Sequence, residues 1–148
     1  MPLEAERGYN LTYPEHASSI ARPMVFADRG VVATSLTSGL RIGGWAELGG
    51  LRRPASGAYF RRIRRIAATL LPCLENAAGM EWMGHRPSLP DSVPVLSRSR
   101  LHERVFYATG HGHYGLTHAA KSARIIADLV SGEAGDSDYA AYSIARFN

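Results

Sequence analysis

The residues best suited to chemistry lie in Thr109-Gly110-His111-Gly112-His113-Tyr114-Gly115-Leu116-Thr117. A short apolar run ends there, glycine occupies positions 110, 112 and 115, and a helical pattern begins at once. Glycine accepts positive φ and lets the backbone come close to a ligand. The unpaired N–H groups of the following helix start, at its positive dipole end, favour an anion or an electron-rich carbonyl oxygen. The turn suits a cofactor that carries or develops negative charge; it is equally compatible with tight packing and no ligand. It is not the dinucleotide G-x-G-x-x-G fingerprint in its usual setting, because no acidic residue follows about 20 positions later on a second strand of a βαβ unit.

A second stretch runs Glu81-Trp82-Met83-Gly84-His85-Arg86-Pro87-Ser88-Leu89-Pro90-Asp91. Arg86 sits between apolar residues and a proline-stiffened loop. An arginine so placed can clamp a carboxylate through two parallel hydrogen bonds, or it can tie down loop carbonyls. His111, His113 and His118 have spacings that could ligate zinc. No acidic or cysteine partner stands beside them, so no metal is expected. Cys73 is the only cysteine, which rules out an intramolecular disulfide. In Leu70-Leu71-Pro72-Cys73-Leu74 it is expected to be a small buried hydrophobe at a helix end.

The elements that must carry these residues can be read from periodicity. Residues 7–13 favour β structure. Residues 23–27 and 31–34 flank Asp28-Arg29-Gly30 as a hairpin, and 40–45 form another strand, giving three or four neighbouring antiparallel strands. A helix is predicted over 57–71, stopped by Pro72. Residues 79–98 look extended and turn-rich, and 104–109 form a strand entering the glycine turn. A second helix follows over about 116–131, with Leu116, Ala120, Ala123, Ala127 and Val130 as its apolar stripe and Gly132 as its stop. The fold class is α+β: an antiparallel sheet, then a strand–turn–helix that belongs to an incomplete α/β layer.

Composition narrows the partners. The chain has the size of one domain and no apolar run approaching the roughly 18–20 residues of a membrane span. Met1–Arg7 lacks the basic-then-apolar run of a secretory signal, so a cytoplasmic location is expected. The formal charge is +4, and Arg52, Arg53, Arg61, Arg62, Arg64 and Arg65 crowd into one stretch. Four of them alternate with Phe60, Ile63, Ala67 and Leu70, which makes a solvated helix face opposite a buried one. No aromatic residues interleave and no recognition motif is present, so nucleic acid is not an expected partner.

Taken in order, Gly84-His85-Arg86-Pro87, Pro90-Asp91-Ser92-Val93-Pro94 and Gly110–Thr117 resemble the C-terminal signature of the D-amino-acid oxidase superfamily of flavoproteins. Bacterial D-amino-acid dehydrogenases are the nearest in kind, with glycine oxidase and sarcosine oxidase as relatives. Glu4-Ala5-Glu6-Arg7-Gly8-Tyr9, Gly39-Leu40-Arg41-Ile42-Gly43-Gly44 and Tyr142-Ser143-Ile144-Ala145-Arg146-Phe147 extend the likeness over almost the whole chain.

The resemblance implies FAD as cofactor and a D-amino acid, or a related amine, as the small-molecule substrate, oxidised by hydride transfer. It implies that residues 1–78 belong to a substrate-binding β-rich domain with one helix and 79–148 to the C-terminal part of a FAD-binding domain. Arg86 matches the arginine that pairs with the substrate carboxylate, with His113 beside it. Gly110, Gly112, His113, Tyr114, Gly115, Leu116 and Thr117 match the turn that contacts the flavin ring, where backbone N–H groups stabilise charge. No side-chain base is implied. Electrons would pass to oxygen or, in the dehydrogenase branch, to a membrane quinone met peripherally. The dinucleotide fingerprint of the family's N-terminal part is absent from these residues. An N-terminal FAD-binding polypeptide is therefore an expected partner, and the chain alone is expected to be inactive. Ser97 stands where the family commonly has glycine, and Trp45 where it has a smaller residue such as threonine. The alternative is a non-catalytic remnant or interaction module that keeps part of the family fold.

Overall fold

The computed structural model describes residues 1–135 and 137–147. Two compact units divide the chain: Arg7–His85, and Met1–Glu6 together with Arg86–Asn148. The chain crosses between them at 6/7 and 85/86, inside two strands, whereas the sequence suggested one division at 78/79. Residues 75–79 are turn and irregular backbone, but the division falls further on, inside the strand of residues 80–88.

The Arg7–His85 unit is built on strands β1 (Glu4–Tyr13), β2 (Met24–Phe26), β3 (Val31–Leu36), β4 (Gly39–Leu48) and β5 (Met80–Ser88), in the order β2-β3-β4-β1-β5. β2 pairs antiparallel with β3 around Asp28-Arg29-Gly30, as the turn chemistry predicted, and β3 pairs antiparallel with β4 in the register Val32↔Gly43 and Thr34↔Arg41. β1 has neighbours on both sides, and its burial is nearly continuous from Arg7 to Tyr13. Helix α1 (Gly57–Leu70) turns Phe60, Ile63 and Ala67 into a core with Tyr9, Leu11, Tyr13, Leu40 and Ile42. Each large apolar side chain buried there contributes roughly 1.5–3 kcal/mol.

The arginines lie where the sequence placed them. Arg61, Arg62 and Arg65 are exposed, and Arg62 lies 3.7 Å from the centre of the Trp45 ring, a cation–π contact. Trp45 thus has a packing role against helix α1. Cys73 departs from expectation because it is exposed. It sits in the tight turn Pro72–Leu74, where successive side chains point about a third of a turn apart. Leu74, fully buried, takes the core position.

In the other unit β6 (Val95–Arg98) and β7 (Phe106–Thr109) form an antiparallel ladder, Val95↔Thr109 through Arg98↔Phe106. Helix α2 (Gly115–Ser131) ends at Gly132, which takes φ +78. Its buried face is Ser122, Ile125 and Leu129, packed with Leu96. The predicted stripe faces outward instead: Ala120, Ala123 and Ala127 are exposed, Leu116 is 94% exposed and Val130 59%. Alanine carries too little apolar area to decide a face, so Ile125 and Leu129 set it. Arg98 donates to the Leu129 carbonyl at 3.1 Å, a cation at the helix's negative end.

The terminal segment is tied back within the same unit. Ile144 N–H donates to the buried Ser97 hydroxyl at 3.1 Å, a bond that glycine at 97 could not accept. Arg146 Nε donates to Asp91 at 2.7 Å, and its Nη2 to the Val93 carbonyl. The Arg146 guanidinium holds the Asp91 carboxyl below its usual range. Among the described residues no helix is long and apolar enough to cross a membrane.

Candidate functional site

Arg86 lies near the end of β5, and the 110–117 turn joins β7 to α2. Both belong to the same unit, as does Glu6. The turn is shaped by two glycines. Gly110 has φ +80, and a Cβ there would run into the Leu89 side chain; Gly112 has φ +51, and a Cβ there would stand 3.3 Å from Ser88 Oγ. Both positions therefore favour glycine for conformation, and Gly110 for room as well. Residues 112–114 form a tight single turn, with Tyr114 N–H donating to the His111 carbonyl at 2.9 Å. No side chain caps the start of α2. His113 and Tyr114 are more than half exposed, and Leu116 and Thr117 are exposed beyond them. Gly115 is the first residue of α2 and takes ordinary helical φ.

The three histidines go different ways. His111 Nε2 pairs with the buried Ser122 hydroxyl at 2.9 Å. Burial, reinforced by the charge of nearby His118, holds the His111 pKa below its ordinary value. His118 stacks on Tyr114, with ring centres 5.6 Å apart. His113 Nε2 pairs with Glu6 Oε1. Among the described residues no group of three or more histidine, cysteine or acidic side chains gathers as a metal site.

Arg86 Nη1 is 3.7 Å from Glu6 Oε1 and has no hydrogen-bond partner, although that atom is buried. A third of the side chain remains exposed. Such a guanidinium has donors to spare, which is what a carboxylate ligand requires. Glu6 and Ser88 were not singled out from the sequence. Glu6 lies 107 positions from His113, and no spacing rule reaches that far. A small cleft of about 100 Å³ opens here, lined by Glu6, Ser88, Ser92, Gly112, His113 and Tyr114 among others. A larger, mostly apolar cavity of about 370 Å³ lies between the 92–96 segment and His118, Lys121, Ser122 and Ile125 of α2, with Tyr142 at its rim.

Residues 1–129 match the family described as FAD dependent oxidoreductase, and the chain belongs to that family. It is 32% identical to a D-amino-acid oxidase of Bradyrhizobium diazoefficiens over 99% of this chain and 36% of that protein. It is 35% identical to a D-amino acid dehydrogenase of Sinorhizobium medicae, again over 99% of this chain and 36% of the relative. Glycine oxidase from Geobacillus kaustophilus superposes on 96% of the chain with a TM-score of 0.74 and 25% identity, covering 39% of that structure. The chain therefore spans little more than a third of the length of these relatives.

The residues present fit one edge of a flavin. The uncapped helix start, the close-set glycines and the exposed 112–117 surface offer backbone N–H groups to a negatively polarised ring edge. Among the described residues no glycine-rich strand–turn–helix followed by an acidic strand end offers a grip for pyrophosphate and ribose.

Proposed function

We propose that this chain supplies the substrate clamp and the flavin-ring edge of a FAD-dependent oxidoreductase acting on a D-amino acid or a related amine. The observation that carries the reading is the Arg86 guanidinium, with an unmet donor, in the same unit as the Gly110–Thr117 turn. Arg86 would take the substrate carboxylate in two parallel hydrogen bonds and so fix which hydrogen of the α-carbon faces the ring. His113 lines the small cleft together with Glu6, the carboxylate 3.7 Å from Arg86, and would border the substrate. Backbone N–H groups of the turn and of the uncapped helix start, other than that of Tyr114, would stabilise negative charge at the ring edge. Bound flavin supplies the hydride acceptor, and the chain itself orients and polarises.

The rest of the cofactor grip would come from polypeptide outside these 148 residues. In the oxidoreductase completed by a FAD-binding partner, Arg86→Leu should raise KM for amino-acid substrates by roughly 10–100-fold, the worth of charged hydrogen bonds of about 1.5–3 kcal/mol. The flavin absorbance spectrum should stay unchanged. Unaltered kinetics would remove the clamp.

A further inference from the structure

One carboxylate joins the two halves of this site. Glu6 Oε1 receives His113 Nε2 from the turn and stands 3.7 Å from Arg86 Nη1 on β5. Its Oε2 accepts the Ser88 hydroxyl at 2.9 Å, and Ser88 in turn lies where a side chain on Gly112 would point. The Glu6 side chain is only 15% exposed, so solvent and salt screen these attractions less than at an open surface. We infer that Glu6 is a positioning residue that sets Arg86 and His113 relative to each other, so that whatever moves one is felt by the other. This rests on the reading that Arg86 is the substrate clamp and residues 110–117 the flavin edge.

The geometry favours positioning over direct substrate contact. Both Glu6 oxygens already have protein partners, while Arg86 Nη1 is attracted without being hydrogen-bonded. Glu6 thus fixes the guanidinium without using up its donors. Arginine and histidine each have several rotamers, and a shared anion selects one combination.

The test is side-chain nitrogen NMR of this chain, which needs neither flavin nor substrate. Glu6→Gln, nearly the same shape without the charge, should shift the His113 ring and Arg86 Nε–H signals while those of Arg98 and Arg146 stay. His113→Ala should shift the Arg86 signal in the parent and lose that effect in the Glu6→Gln background. Arg86→Leu, read at the His113 ring with Glu6 in place, should also produce a shift. Unmoved His113 and Arg86 signals in Glu6→Gln, or a His113→Ala effect of equal size in both backgrounds, would overturn the proposal. Acetate then separates it from the clamp reading. Saturating acetate should move Arg86 directly and His113 through Glu6; movement of Arg86 alone counts against the coupling. Absence of any saturable Arg86 response removes the clamp, and the mutant comparisons still decide Glu6.

Discussion

His111 shows how a single part-buried group can make stability depend on pH. Burial, with the nearby His118 charge, keeps its ring below the ordinary pKa of 6.5, so the folded ring resists a proton that the unfolded ring accepts. Its contribution is whole above about pH 6.5 and is lost as pH falls through the lower folded value. Denaturant midpoints should drop between pH 7.5 and 5.5, and His111→Gln, which keeps a partner for Ser122, should make that drop smaller. Equal drops in parent and variant would refute the assignment. Gly112 is the second residue whose chemistry is local. At φ +51 an L-residue costs roughly 1–2 kcal/mol, and a Cβ also presses on Ser88. Gly112→Val should release flavin from the completed oxidoreductase or shift its spectrum, and a normal spectrum at full occupancy would argue against contact. The positive φ of Gly110 and Gly112 was legible because glycine is the residue a tight turn before a helix calls for, whereas residue type left Arg86 open between a clamp and a tie to loop carbonyls. Glu6 was not legible, because an acidic residue at a strand start has many ordinary uses and its partners come from remote segments.

At the scale of elements, periodicity located nearly everything and misjudged one face. The hairpin at residues 24–36 follows from its turn, and α1 follows from Phe60, Ile63 and Ala67 set among arginines. Helix α2 ends at the glycine expected. Its orientation was hidden because alanines mark one side while the buried side contains Ser122, a polar residue that is satisfied only once His111 folds against it. The inversion can be measured. Leu129→Ala should cost about 2–5 kcal/mol in denaturant unfolding of this chain, as truncation in a packed cluster does. Leu116→Ala, at a side chain almost wholly exposed, should stay within about 0.5 kcal/mol. Similar costs at the two positions would mean that α2 presents the other face.

On the scale of the whole molecule, the division of labour follows from which parts of a flavin site these residues can form. On the function proposed above the turn at 110–117 would offer donors to a ring edge, and the small cleft beside it, about 100 Å³, is well below the 300 Å³ or more that cofactor-sized pockets usually enclose. Relatives more than twice as long contain the chain's match within about 36% of their length. Ring-edge contacts alone would leave the pyrophosphate charge and the adenine face without protein partners, so on the proposed function most of the binding free energy would come from elsewhere. Titrating FAD with this chain should therefore leave flavin fluorescence nearly unchanged. Adding a polypeptide that carries a glycine-rich dinucleotide motif from the same family should produce saturable quenching, weakened by Gly112→Val. Strong quenching by the chain alone would place a complete cofactor grip within these 148 residues. Quenching by the partner that this chain does not alter would favour the non-catalytic remnant.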